Sequence, residues 1–593
     1  MGYLAILPSI VPKNNAQKNN DGIEAGNTMT SFTRRTVLKQ LALGTAALGT
    51  APALRAATGG AGKRPNVLLL VSDQERGWPD LPGALDLPAH EKLLARGVGF
   101  TGYHANTSPC SPSRSVMYTG QHTMHTGMTA NLHAPPFPTL NPDLPTLGHV
   151  FQALGYHTAY KGKWHLSDIE DGPGLMYGSY PSRRRALEPH GFHDYNLTGD
   201  VHGSVWQGYL ADRMVSGEAG QWLMRDSRKL DRPWLLAVNF VNPHDIMFFS
   251  TSEAQDRSRA NPMFMAPLRP APNDPLYDRD WTHLPLPASF HRETLAGKPW
   301  CHHSYADVID TIYGRIDKGD EAAWLANQSY YYNCLRDVSR QVDRVLWALE
   351  KSGQMDNTII VYTADHGEMA GAHGLRQKGP MVYKENSRIP LIIRHPDVRG
   401  GRAVENLGST LDLLPTLVGL ATEGQGKTDT PGVDLSPVLN GGHTRRDERG
   451  VLFAYGVLLY TDPEATRRLV TEGDEITPVK LMGDFLKQLR LGPELGNRGL
   501  HRGVFDGRYK FARYFSPDSH HTPEDWETLT AHNDLELYDT WQDPHELNNL
   551  AAQPEPDRDL ILAMNEKTNR LVAEEVGEDK GAEFIGPTFM YTL

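Results

Sequence analysis

The sequence predicts an α/β fold, a mostly parallel sheet flanked by helices, with a smaller α+β domain at its C-terminal end. Three observations predict it. Unbroken apolar runs of strand length recur far apart in the chain, as strands buried on both faces require. The three clearest runs all end in polar residues: Ser72-Asp73-Gln74, Asn242-Pro243-His244-Asp245 and Asp365-His366-Gly367. Beyond Glu423 the text turns to Gly-, Thr- and Asp-rich connectors, short strands and one late helix, the pattern of a satellite domain.

Composition bounds the rest. The 593 residues are 39% hydrophobic and 22% charged, with no apolar stretch of the roughly 20 residues that a membrane span needs. The net charge is -12, and residues 1–56 carry six Lys/Arg against two Asp/Glu, so the remainder stands at -16. An acidic body of this kind excludes a nucleic-acid backbone binder. Three cysteines are too few for a disulfide scaffold, so each is read for its chemistry.

Taken in order, residues 1–57 read as an address. Arg34-Arg35 precede a short Ala/Gly-rich apolar run, Gln40 to Leu54, with small residues around its end at Ala53, Ala56 and Ala57. That is the order of a twin-arginine signal peptide, with residues 1–28 an over-extended start before Met29. The expected partner is the twin-arginine translocase, and the expected location is periplasmic or secreted. Residues 64–440 read as the catalytic domain and 441–593 as the C-terminal subdomain. The first strand is Asn66 to Val71, the second Trp234 to Val241, the third Thr358 to Ala364. A helix from about Ser329 to Lys351 precedes the third, with Leu335, Val338, Val342, Val345, Leu346 and Leu349 on one face. Between Ser250 and Trp300 periodicity is lost; this excursion either covers the site or is an ordered surface insertion. Further on come a strand at Ile389 to Arg394, a helix at Thr410 to Val418, strands at Val451 to Ala454 and Tyr509 to Tyr514, and a helix near Asp557 to Val576. In open α/β sheets ligands gather beyond the carboxyl ends of the strands, so the three polar endings are expected to share one crevice.

Residues 106–120 read Asn-Thr-Ser-Pro-Cys110-Ser-Pro112-Ser-Arg114-Ser-Val-Met-Tyr-Thr119-Gly120. A Cys followed at the second and fourth positions by Pro and Arg, then Thr-Gly, resembles the signature of formylglycine-dependent sulfatases, which share the alkaline-phosphatase-like fold. In that family a formylglycine-generating enzyme oxidises the Cys to 3-oxoalanine. The resemblance implies hydrolysis of a sulfate monoester: one hydroxyl of the aldehyde hydrate attacks sulfur, and the other then expels sulfate and restores the aldehyde, splitting one hard step into two. It further implies that Arg114 supports the hydrate and its surroundings through charge-assisted hydrogen bonds. Asp73, Gln74, Asp365 and His366 resemble the family's metal ligands, with the modified Cys110 as a fifth. In Gly162-Lys163-Trp164-His165, Lys163 matches a sulfate-binding lysine and His165 the histidine that assists the hydrate. His244 matches the histidine at the leaving-group oxygen, and Lys378, in His373-Gly-Leu-Arg-Gln-Lys378, the second sulfate lysine. Asp506-Gly-Arg-Tyr-Lys510 and Leu537-Tyr538-Asp539 through Asp543-Pro544 to Asn549-Leu550 resemble the ending of family members, so the likeness runs from about Asn66 to Ala552.

Departures from the pattern carry chemistry. Many arylsulfatases have Asp-Asp and Asp-Asn where this chain has Asp73-Gln74 and Asp365-His366. Exchanging a carboxylate for an amide and an amide for an imidazole removes one negative charge and adds a nitrogen donor, which moves preference from calcium toward manganese. The Gln/His pair resembles the phosphonate monoester and phosphodiester hydrolase branch, so a phosphorus ester is the alternative substrate. A non-catalytic relative binding an anionic glycan is a further alternative, against which the intact set Cys110, Arg114, Lys163, His165 and Lys378 speaks. Asp245 stands where many relatives have a nearby Pro, and Gln121-His122 where an Arg is common. Cys301, placed in the irregular excursion, and Cys334, in the long helix, are expected to be free or buried thiols.

Overall fold

A seven-stranded sheet has the order β3-β4-β1-β5-β6-β2-β7, and a separate four-stranded sheet the order β11-β10-β9-β8. These belong to a computed structural model that describes residues 64–132, 134, 138–169, 185–195, 199–259, 267–460, 462–472, 496–579 and 581. The expected signal peptide, residues 1–57, lies outside the described residues.

The large sheet comprises β1 (Asn66–Asp73), β2 (Val98–His104), β3 (His157–Gly162), β4 (Trp234–Pro243), β5 (Thr358–Ala364), β6 (Leu391–Arg394) and β7 (Arg402–Ser409). Strands β3, β4, β1 and β5 run parallel in one block, and β6 alone is antiparallel to both of its neighbours. Every residue of β1, β4 and β5 is buried. That burial explains why these three strands read as unbroken apolar runs rather than as alternating ones. The longer helices are α1 (Pro88–Arg96), α2 (Cys110–Thr119), α3 (Gln207–Gln221), α4 (Trp300–Tyr313), α5 (Glu321–Lys351), α6 (Leu413–Ala421), α7 (Pro463–Glu472) and α8 (Arg558–Glu575). The antiparallel sheet is β8 (Val451–Tyr455), β9 (Leu500–Phe505), β10 (Tyr509–Phe515) and β11 (Asp534–Asp539). From Lys63 onward both sheets belong to one compact unit.

Two expectations are corrected. Helix α5 begins at Glu321, eight residues before the expected Ser329, where the Asp320 side chain accepts from Ala323 N at 3.1 Å. Its first turns bury polar Asn327 and Gln328, the latter donating to Pro285 O at 3.1 Å, so the apolar stripe is interrupted exactly where sequence periodicity looks for it. Cys301 lies in α4 rather than in irregular text, because Pro299 leads into a helix that buries Tyr305, Val308, Ile309 and Ile312 at helical spacing. Cys301 and Cys334 are both free and buried, as expected.

A buried ion-pair network ties α8 to the large sheet's surroundings. Arg446 Nη2 and Nε bond Asp412 at 2.5 and 2.9 Å, and Arg446 Nη1 bonds Glu575 at 2.5 Å. His122 Nε2 lies 3.0 Å from the other Glu575 oxygen, which gives the residue after Gln121 a structural role. Burial alone would raise the Glu575 pKa, but Arg446 and His122 outweigh it and hold it at about 2, below its ordinary 4.5. A carboxyl depressed in the folded state stabilises above about pH 4.5 and loses that contribution as the pH falls toward 2. Glu575→Ala, which leaves Arg446 short of a partner, is expected to cost about 3–5 kcal/mol at neutral pH. Urea unfolding at pH 7 and pH 3 checks both statements: the variant's deficit shrinks at the lower pH.

Candidate active site

Four parallel strands end at one edge of the sheet. In register, Asp73 of β1 faces Pro243 of β4, Ser72 faces Ala364 of β5, and Gly162 of β3 faces Asn239 of β4. The residues that leave those ends, Gln74, His244, Asp365 and Lys163, therefore emerge side by side, as the crevice rule for α/β sheets requires.

Asp73, Cys110, Asp365 and His366 each turn one donor atom inward, and these atoms lie within 4.8 Å of one another. All four residues are fully buried. Cys110 Sγ is 3.7 Å from Asp73 Oδ1 and 3.2 Å from His366 Nε2. His366 Nδ1 is 3.0 Å from Gly367 O, a carbonyl that only accepts, so Nδ1 carries the hydrogen and Nε2 is the atom presented to the cluster. Burial opposes charge on His366, but Asp365 and Cys110 outweigh it and push its pKa up to about 9. The cluster thus attracts positive charge, and its oxygen, nitrogen and sulfur donors suit a divalent cation. The two carboxyls are driven apart: burial would raise both, Lys163 brings Asp73 well below the usual range, and Asp73 itself adds to the rise at Asp365. This is the expected behaviour of carboxylates sharing one site.

Backbone conformation aims the flanking residues. Gln74 is left-handed, φ 71°, and is held there by its N–H donating to Asp365 Oδ1 at 3.1 Å and its carbonyl accepting from Tyr331 Oη at 3.1 Å. A non-glycine residue at such a φ costs free energy that its surroundings must offset, a pattern concentrated at functional sites. Its Oε1 accepts from Lys378 Nζ, which also lies 2.8 Å from Met247 Sδ.

Cys110 is the first residue of α2, every residue of which is buried. Burial and Asp73 would raise its thiol pKa; Lys163, Lys378 and His366 more than compensate, and it is lowered. One turn on, Arg114 donates to Trp164 O at 3.0 Å, Lys163 O at 2.5 Å, Tyr160 Oη at 3.0 Å and Asn239 Oδ1 at 2.7 Å, with Asp365 Oδ2 at 3.5 Å. Its guanidinium joins α2, the turn after β3, β4 and Asp365 into one frame.

Lys163 Nζ pairs with Asp73 Oδ2 at 2.5 Å and donates to His202 O at 2.7 Å. His165, at φ 55°, lies on the same turn with its ring stacked on that of His202, centroids 5.5 Å apart. Asp200 fixes this turn by accepting from Trp164 N at 3.0 Å and His165 N at 2.6 Å. His244 is buried, and burial first, then the charges of Lys378 and Lys163, hold its pKa well below 6.5. Gly203, at φ 123°, packs against this ring so closely that a Cβ there would stand 2.3 Å from His244 Cε1. Asp245 accepts from Gly208 N and Tyr209 N at 2.8 and 2.9 Å, so it caps α3, and burial raises its pKa to about 7.

The structure therefore brings Asp73, Gln74, Cys110, Lys163, Asp365, His366 and Lys378 together, with His244 close enough for their charges to shift it. Arg114 and His165 stand immediately behind and beside them. Sequence reasoning missed Asp200, His202, Asn239, Glu368, the aromatic Phe248, whose ring stands 6.0 Å from that of His244, and Tyr313, whose ring stands 6.1 Å from that of Phe248. Asn239 alone left a signal, as a polar residue inside the apolar run of β4.

Cys110, a buried cluster of possible cation donors and two lysines thus stand together at the carboxyl edge of the sheet, where α/β folds gather their ligands. The family model "Sulfatase" matches residues 65–423, and the chain belongs to the sulfatase family; it is a sulfuric ester hydrolase. The uncharacterized sulfatase YidJ of Escherichia coli is 30% identical over 60% of this chain and 68% of its own. The N-acetylglucosamine-6-O-sulfatase of Bacteroides thetaiotaomicron is 26% identical over 88% of this chain and 90% of its own, so similarity extends well beyond residue 423. Among solved structures, the phosphonate monoester hydrolase of Agrobacterium radiobacter shares the fold with a TM-score of 0.59 at 22% identity, covering 86% of this chain and 96% of that one.

Proposed function

We propose that the protein hydrolyses a sulfate monoester with Cys110, converted to formylglycine by a formylglycine-generating enzyme, as nucleophile and one divalent ion held by Asp73, Gln74, Asp365 and His366. The observation that carries this reading is the convergence of Cys110 with three charged donors inside 4.8 Å, flanked by Lys163 and Lys378. A bound divalent ion supplies positive charge that polarises sulfuryl oxygens and acidifies a neighbouring hydroxyl. The aldehyde supplies, as its hydrate, a nucleophilic hydroxyl and a second one through which it is regenerated.

The chain's own groups do the rest. Lys163 and Lys378 bind and orient the sulfate oxygens. Arg114 holds the Lys163 turn and Asp365 in place, so neither must reorganise during reaction. His165 takes a proton from the hydrate. His244 is kept neutral partly by the two lysine charges; an anionic ester bound between those lysines cancels that field and raises its proton affinity, which suits it to protonating the leaving oxygen. The Gln74/His366 pair supports manganese over calcium. The Arg34-Arg35 leader supports export of the folded protein by the twin-arginine translocase to the periplasm or beyond.

The same Gln74/His366 pair supports a second reading, in which a phosphonate monoester or phosphodiester is the preferred substrate. Paired assays on chelator-stripped protein, reloaded with Mn²⁺ or Ca²⁺, separate the two. We expect activity to vanish on stripping and to return more fully with Mn²⁺, with kcat/KM higher for an aryl sulfate than for a phosphonate ester. The reverse order of substrates establishes the second reading; undiminished turnover after stripping removes the cation from both.

A further inference from the structure

We infer that Glu368 is a positioning residue whose carboxylate takes the Gln74 NH2, so that Oε1, the end that Lys378 contacts, is the face left for a cation. The inference rests on the cation site proposed above. A carboxylate presents an acceptor whichever way it turns, whereas a carboxamide has one end that ligates a cation and one that repels it. An amide ligand therefore needs something to choose its face.

Glu368 supplies that choice. Gln74 Nε2 donates to Glu368 Oε2, while Gln74 Oε1 accepts from Lys378 Nζ. The carboxylate is fully buried and cannot swing, because Oε1 accepts from Ala370 N at 2.7 Å and Gln377 N at 2.6 Å. Its own carbonyl accepts from Arg76 Nε at 2.5 Å, and Arg76 N donates to Tyr331 Oη at 3.1 Å, the hydroxyl that holds the Gln74 carbonyl. One side chain thus fixes the face of Gln74 and, through Gln377 N, the backbone one residue before Lys378. Glutamine at 368 would keep its oxygen on the two backbone N–H groups and turn its NH2 toward Gln74, which must then flip and aim its own NH2 at the cluster.

Calorimetric titration of Mn²⁺ into the stripped full-length chain tests this. Glu368→Gln is expected to weaken Mn²⁺ binding 10–100-fold, the usual effect of losing a ligand's hydrogen-bond partner. The transposed pair Gln74→Glu with Glu368→Gln, which restores a donor facing an acceptor with the carboxylate at the cluster, is expected to recover most of the loss. Wild-type affinity in Glu368→Gln overturns the inference, as does a transposed pair no tighter than the single variant. Absence of Mn²⁺ binding in the wild type overturns both the inference and the cation site beneath it. Should Glu368→Gln fail to fold by near-ultraviolet circular dichroism, the transposed pair carries the test alone, and its failing to bind overturns the inference.

Discussion

Cys110→Ala is expected to abolish sulfate ester hydrolysis, with kcat falling by at least about 10⁴-fold, the scale on which loss of a covalent nucleophile is felt. Stability is expected to change little, since the substitution removes one sulfur from a buried position and leaves α2 and the Arg114 frame intact. Cys110→Ser separates the two halves of the chemistry. A serine hydroxyl is capable of one attack but lacks the second hydroxyl that expels sulfate. Slow substrate consumption, stopping at one equivalent with a sulfate ester retained on the protein, is therefore the expected outcome by intact mass. Multiple turnovers by Cys110→Ala would mean that another group is the nucleophile.

Asp73→Asn is the second large effect. Asp73 is fully buried, pairs with Lys163 at 2.5 Å and stands in the donor cluster, so one substitution removes a negative ligand and leaves a buried ammonium without its counter-charge. Breaking a buried pair costs about 3–5 kcal/mol, which converts to roughly 10²–10⁴-fold in divalent-ion affinity if it falls on binding. Calorimetric Mn²⁺ titration with parallel kcat/KM measurement checks it, and activity is expected to fall with occupancy. Asp245→Asn is the control: it sits beside His244 yet caps α3, so it is expected to lower stability by about 1 kcal/mol while leaving ion affinity unchanged.

How far the sequence reaches is clear from particular residues. The strand endings at Asp73, His244 and Asp365 were legible because a strand buried on both faces must be apolar until it leaves the sheet, so a polar ending marks where it leaves. Fold class followed from the same runs, and the strand order did not, since pairing of β1 with β4 and β5 is decided by contacts hundreds of residues apart in the chain. The residues of the cluster were legible through the family resemblance, Cys110 by its short motif and Asp73, Gln74, Asp365 and His366 as polar pairs at two strand endings. Those that hold them were not. Asp200 reaches Trp164 from 36 residues away, and an Asp in loop text looks like any turn residue until that hydrogen bond is seen. Glu368 was hidden by standing two residues beyond His366, where a surface carboxylate is the ordinary expectation. The start of α5 was lost for a related reason: Asn327 and Gln328 are buried by hydrogen bonding rather than by apolarity, and periodicity counts only the latter.

The central claim is that Cys110 is converted to an aldehyde that turns over sulfate esters. Peptide mass spectrometry of the Cys110 peptide, from protein produced with a formylglycine-generating enzyme and assayed in the same batch on an aryl sulfate, tests it most directly. Conversion of Cys110 to formylglycine, with turnover rising in proportion to the converted fraction, is the expected result. A Cys110 that remains a thiol while a control sulfatase in the same cells is converted, or turnover that does not follow conversion, would contradict it.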